Sequence, residues 1–221
     1  MSWIGAKRRS NRFIAHVEVD GEITVAHVKN TGRCKELLVP GAKIILQKSD
    51  NPERKTPYNL IAVWKGNRLI NMDSQAPNKV VMEHLLSGQY MEGITLIKPE
   101  AKYGDSHFDF YVEAGERKIF IEVKGVTLEE DGVVMFPDAP TERGVKHLRE
   151  LAQCVREGHE AQAVFIIQMS DVRYFTPNNK THQAFGKALT AAEKAGVKVV
   201  VFDCTVTENS LNIGNPVEVK L

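Results

Sequence analysis

The stretch FDFYVEAGERKIFIEVKGVT, residues 108–127, decides the fold. Residues 108–113 and 118–124 are rich in β-branched and aromatic side chains, and Ala114, Gly115, Glu116 and Arg117 between them supply a turn, so the stretch is expected to form a β-hairpin. With a side-chain period of two, Phe120, Glu122 and Lys124 share one face of the second strand, and Ile119, Ile121 and Val123 share the other. One face is expected to be core and the other to carry charge. Asp109 and Glu122 stand at nearly equal distances from the turn, which brings their carboxylates almost opposite one another. Two like charges there are unfavourable unless a cation sits between them or Lys124 neutralises them. Two carboxylates, the backbone of Val123 and water suit a hard divalent ion, Mg²⁺ or Mn²⁺. An ammonium beside that ion can orient or help deprotonate an attacking water. The chemistry implied is metal-assisted hydrolysis of a phosphodiester, with Asp109, Glu122 and Lys124 as catalytic residues and Asp109, Glu122 and Val123 around the metal.

Asp109 followed, after a short turn, by Glu122-Val123-Lys124 resembles the PD-(D/E)XK nuclease motif, with Phe108 standing where that motif has proline. A lone ExK is usually a charged solvent face, but the likeness runs further. NTGR at 30–33, PG at 40–41, the stretch 72–83, EAKYG at 100–104, DF at 109–110, IEVKGVTL at 121–128 and FPDAPTERGVKHLREL at 136–151 resemble the sugar fermentation stimulation protein A family of DNA-binding proteins. The last two segments are the most specific. Two departures stand out: His107 where an arginine is expected, and Thr181-His182-Gln183 where an acidic residue is usual. The resemblance implies an OB-like barrel followed by a restriction-endonuclease-like domain, DNA as partner, and Glu83 and Glu100 as acids supporting the metal site. The family name implies a regulatory role in sugar metabolism, of which the residues themselves say nothing.

The chain has 221 residues, 43% of them hydrophobic, enough to bury a core as one large domain or two small ones. No apolar run is long enough to span a bilayer, and the first residues lack the apolar centre of a signal peptide, so a cytoplasmic location is expected. Cys34, Cys154 and Cys204 are widely spaced without a CxxC pair, which fits reduced, buried thiols. His16, His27 and His147 are expected in core or surface roles. Residues 1–80 carry 14 Lys and Arg against 7 Asp and Glu, a balance of +7, whereas residues 81–221 carry 15 against 21, a balance of −6. A basic half joined to an acidic half suggests one part that holds a polyanion and another that acts on it.

Along the chain, a basic opening with Arg8, Arg9 and Arg12 leads into strands at 13–19 and 22–28 joined by Asp20-Gly21, the strongest hairpin signal present. Further strands at 42–47, 58–64 and 68–72 make five, which fits a small barrel. Its DNA-binding candidates are Arg8, Arg9, Arg12, Arg33, Lys35, Lys43 and Lys55, with Tyr58 or Trp64 for stacking. Residues 1–76 form the first expected domain and 77–221 the second, which opens with Asn78 capping a helix at 79–87. Acidic residues 129–131 read as a solvated turn. Thr141 caps a helix at 142–157 whose exposed face offers Arg143 and Lys146 to a phosphate. A strand at 161–168, apolar throughout, reads as a central parallel strand. A helix at 183–195 and a strand at 197–202 follow. The expectation is an α+β protein: an OB-like barrel and an αβββαβ nuclease-like domain with an added αβ unit. Three functions remain open: a DNA binder with a metal site that is also a nuclease, a DNA binder whose acids merely support the fold, and a protein-binding scaffold.

Overall fold

The computed structural model describes residues 4–30, 32–51 and 53–221, without the side chains of Ile4, Arg9 and Ser10. Six strands build the first part: β1 (Ile4–Asn11), β2 (Ile14–Val19), β3 (Glu22–Val28), β4 (Ile44–Lys48), β5 (Tyr58–Lys65) and β6 (Arg68–Asn71). The order is β1-β2-β3-β5-β4, with β6 also paired to β5. An antiparallel bridge between Gly5 and Lys43 joins β1 to the β4 side, reinforced by Ala6 N–H donating to the Ala42 carbonyl at 2.9 Å. That closure makes the sheet a barrel. Asp20 and Gly21 adopt φ of 53° and 87°, the left-handed conformation a two-residue hairpin turn requires.

The basic opening is itself a strand, one that the sequence reading did not count. Its polar composition hides it, because β1 buries Ala6 while Lys7 and Arg8 stay exposed, and its pairing with β2 shifts register twice.

The second part begins with α1 (Ala76–Leu86), then β7 (Ile94–Tyr103), β8 (Ser106–Ala114), β9 (Arg117–Val126), β10 (Leu128–Glu130) and β11 (Val133–Phe136). After these come α2 (Glu142–Arg156), β12 (Glu160–Ile167), β13 (Tyr174–Pro177), α3 (Asn179–Lys194), β14 (Lys198–Val206) and β15 (Leu211–Pro216). The main sheet runs β15-β14-β12-β9-β8-β7, and β10-β11-β13 form a small side sheet. As its composition requires, β12 lies between two parallel neighbours, β9 and β14. Thr141 caps α2 by accepting from Gly144 N–H at 3.0 Å. In α3 the backbone leaves the helical region at His182, so the regular helix starts at Gln183. His182 accepts from Thr141 N–H at 3.3 Å and contacts Glu142 at 3.1 Å, tying α3 to the start of α2.

Both faces of the sheet are covered. Phe120 packs into the cluster that joins the barrel interior to α2 and α3, while Ile119, Ile121 and Val123 pack with α1. The expected charged face of the central hairpin is thus buried under α2. Asn78 is not the cap of α1. The helix starts at Ala76 with Pro77 in its first turn, where a missing N–H costs nothing, and the Asn78 side chain is released for another partner. The acidic turn is solvated only in part: Glu130 and Asp131 are exposed, but Glu129 is 4% exposed and pairs with Lys65 and Arg68 of the barrel. Gln168 adds to this seam, donating to Asn71 Oδ1 at 2.8 Å and to the Asp73 carbonyl at 3.0 Å. All three cysteines are buried, and none is in a disulfide among the described residues. Among the described residues no helix is long and apolar enough to cross a membrane.

Candidate functional site

The β8–β9 ladder pairs Phe110 with Ile121 and Tyr111 with Phe120, a register whose next step places Asp109 opposite Glu122. The backbone pairing ends there. Phe108 stacks with Phe120 on the α2 side, whereas Phe110 and Val112 face α1, so β8 changes phase at Asp109. The Asp109 side chain takes over from the ladder: Oδ2 accepts from Val123 N–H at 2.7 Å, and Oδ1 accepts from Asn78 Nδ2 at 2.7 Å. Burial, then the neighbouring Glu122 charge, pushes the Asp109 carboxyl above its ordinary range.

Glu122 is 5% exposed. Its Oε1 is held by the Lys124 ammonium and by Nδ1 of His147, which projects from α2. Burial alone would raise this carboxyl, but His147 and Lys124 outweigh it and hold the group below the usual glutamate range. Arg143, one turn earlier on α2, donates from Nε to His147 Nε2 at 3.3 Å, which leaves the His147 proton on Nδ1, facing Glu122. Glu122 Oε2 is buried and has no hydrogen-bond partner among the described residues. A buried carboxylate oxygen left in this state costs free energy, so it marks a place where a ligand has something to bind.

The other expected site residues fall in different places. Glu83 is exposed on α1, five residues beyond Asn78, which on a helix is about 140° around the axis from the side that meets Asp109. It lies outside the acid pair. Glu100 lies in the β7–β8 ladder between Pro99, paired with Phe110, and Ala101, paired with Phe108, which puts it beside Asp109. Its side chain is exposed and its φ is +49°, a conformation that L-residues rarely adopt. Among the described residues no group of three His, Cys, Asp or Glu side chains converges, so a cation at Asp109 and Glu122 would also need oxygen from backbone, water or substrate. Lys146 turns towards Glu150, 3.6 Å away, and not towards the acids.

Lys124 and Val123 line a cavity of about 220 Å³ between the two parts of the molecule, whose opposite wall is the loop bearing Asn30 and Gly32. Asp138 binds that loop: its Oδ2 accepts from Arg33 N–H at 2.7 Å and would lie 2.4 Å from a Cβ at position 32, so any larger residue there displaces the carboxylate that holds the loop. Beyond Gly32 a second groove of about 440 Å³ is lined by Asn11, Arg12, Arg33 and Lys35. Arg8 is exposed on β1, Lys43 and Lys55 are exposed, and the Arg9 side chain lies outside the described residues. The expected stacking residues are not open platforms: Tyr58 packs against the core, and Lys43 covers Trp64 at 5.5 Å from its ring centre.

Sequence reasoning missed His147, Asn78 and Asp138. His147 lies one helical turn after Arg143 in the segment GVKHLREL, and that i,i+4 spacing is the signal that could have found it. Asn78 was assigned to a cap, and Asp138 depends on a contact across 105 positions that no local pattern reveals.

A closed five-strand barrel carrying an extra strand, joined to a mixed sheet with helices on both faces, defines an OB domain coupled to a restriction-endonuclease-like domain. The model of the SfsA N-terminal OB domain matches residues 8–72, and that of the sugar fermentation stimulation protein RE domain matches residues 75–210. The sugar fermentation stimulation protein homolog of Desulfitobacterium hafniense is 64% identical over 213 residues, covering 96% of this chain and 93% of that protein. Its Clostridium beijerinckii counterpart is 61% identical, with 96% and 94% covered. The structure of Pyrococcus furiosus SfsA in complex with Ca²⁺ superimposes with a TM-score of 0.87 at 28% identity, over 100% of this chain and 96% of that one. The chain belongs to the sugar fermentation stimulation protein family.

Proposed function

We propose that this protein binds DNA without sequence specificity and holds a divalent cation, Mg²⁺ or Mn²⁺, at Asp109, Glu122 and the backbone of Val123, where it cleaves phosphodiesters slowly. The observation that carries the reading is Glu122: one oxygen is fixed by Lys124 and His147, and the other is buried without a partner beside a second carboxylate. The donor set is all oxygen, which suits a hard cation, and the Pyrococcus furiosus relative is described with Ca²⁺ bound. A bound cation would supply positive charge to the phosphoryl oxygens. The chain's own residues do the rest. Asn78 and the Val123 amide hold Asp109 in place, Arg143 and His147 orient Glu122, and Lys124, lining the cavity, positions a water or a phosphate oxygen. The basic first part supplies affinity through phosphate contacts, so binding falls steeply with salt.

One observation favours a second reading, in which Asp109 braces the fold: both its oxygens already accept hydrogen bonds. Single-stranded, duplex and flap DNA incubated with Mg²⁺ or Mn²⁺ separate the two, with Lys124→Ala prepared identically. Genuine activity falls about a hundredfold in the variant. Cleavage that survives Lys124→Ala is a contaminant, and no cleavage on any substrate favours the bracing reading.

A further inference from the structure

Among the described residues the barrel offers one open aromatic on which a base could stack. Among the described residues with large, exposed hydrophobic side chains, Phe13 is the aromatic one, 46% exposed. It sits at the turn between β1 and β2, directly after Arg12, and Asn11 Oδ1 fixes the turn by accepting from Phe13 N–H at 2.8 Å. A lone exposed phenylalanine is unremarkable, but this one directly follows Asn11 and Arg12, which line the basic groove with Arg33 and Lys35. Basic side chains tracking a backbone, with an aromatic ring for a base, are the two parts of a single-strand binding surface.

The groove also leads somewhere. Gly32 lines both it and the smaller cavity that contains Lys124. Gly32 contributes no side chain to either wall, and Asp138 Oδ2 and Asn30 Oδ1 lie against it. Glu122, 5% exposed, is bonded to the Lys124 that lines that cavity, and the barrel loop bearing Asn30 and Gly32 forms another wall. A phosphate in the middle of a duplex is fixed on a stiff cylinder that does not bend sharply over a few base pairs, so it cannot be delivered into a cavity of about 220 Å³. A single strand turns at every nucleotide and can be threaded in.

We infer that single-stranded nucleic acid, DNA or RNA, is the ligand of this seam: one base stacks on Phe13, the backbone passes Arg12, Arg33 and Lys35, and the strand enters the cavity at Lys124 past Gly32. This rests on the reading that the protein binds DNA, and it specifies which form. The test is fluorescence anisotropy of the full chain with a short DNA strand, the same sequence as RNA, and its DNA duplex, in low salt. At least one of the single strands binds about tenfold tighter than the duplex. Phe13→Ala weakens that single-strand binding about tenfold and duplex binding less than about twofold, and Phe13→Trp restores it. A strand carrying 5-iodouracil, irradiated in the complex, crosslinks to the peptide containing Phe13, a result that does not depend on the stability of any variant. The path is overturned if Phe13→Ala leaves single-strand binding unchanged, if it weakens strand and duplex equally, or if the crosslink maps elsewhere. A duplex bound as tightly as the strands overturns it too, while leaving DNA binding intact. No binding of any nucleic acid overturns both readings.

Discussion

Glu122 and Glu129 are both buried, both held by cationic or hydrogen-bonding neighbours, and both shifted below the ordinary glutamate range, yet they are satisfied differently. Glu129 Oε2 pairs with Lys65 at 2.7 Å, and its Oε1 pairs with Arg68 at 2.7 Å and accepts from Gly132 N–H. Both of its oxygens are used, and they fasten β10 to the barrel strands β5 and β6. Glu122 has its partners on one oxygen alone. A carboxylate whose two oxygens are each paired with a cation is a structural joint, whereas one that leaves an oxygen unpartnered near a second carboxylate fits the metal site proposed above. The pair therefore separates the joint between the two domains from the proposed metal site.

The largest expected effect comes from breaking the joint. Glu129→Gln removes the charge that Lys65 and Arg68 converge on, and because those two side chains are partly exposed, water recovers some of the loss. The cost is about 3 kcal/mol in urea unfolding, at the low end for one partner of a buried pair. The same joint gives a pH signature. Burial alone would raise the Glu129 carboxyl, but Lys65, Gly132 and Arg68 pull it from 4.5 to about 2. Its folded value is depressed, so its contribution is fully present above pH 4.5 and is lost as pH falls towards 2. Glu160, held at about 2 by Arg117 and Lys198, titrates in the same window, so the readout is the difference between wild type and Glu129→Gln, which shrinks with acid. A difference that stays constant down to pH 2 contradicts the assignment.

A smaller effect sharpens the other side of the comparison. His147→Ala removes the group that orients Glu122 and lowers Mn²⁺ affinity about tenfold, as loss of a side chain behind a metal ligand typically does. His147→Asn, which can present an N–H near the Nδ1 position, recovers much of that affinity. Equal loss in both variants would mean that His147 serves packing alone.

The fold was largely legible because its decisive signals are local. Asp20-Gly21, Thr141, the apolar run in β12 and the hairpin around Gly115 each state a turn, a cap or a strand within a few residues. Hairpin symmetry brought Asp109 near Glu122, but the ladder stops at Phe110 and Ile121, and the change of phase at Asp109 is not legible in the sequence. What escaped lies at the seam. A strand with one buried alanine reads only as a basic opening, and Glu129 in its acidic turn reads as solvated until Lys65 and Arg68 are brought to it from more than sixty positions away. His147 looked like a core histidine because its role comes from β9, which only tertiary packing places beneath α2. Glu83 was the converse case, an acid suggested by resemblance that helical geometry turns away from the site.

The most direct test is a thermal-shift titration with Mg²⁺ and Mn²⁺ of four proteins: wild type, Asp109→Asn, Glu122→Gln and Glu129→Gln. A cation that binds only the folded state raises its stability with the logarithm of saturation. The account predicts that wild type and Glu129→Gln gain the same increment, the latter from a lower starting temperature, while Asp109→Asn and Glu122→Gln gain none. Equal increments in all four proteins, or no increment in wild type at millimolar cation, would contradict a divalent site at Asp109 and Glu122.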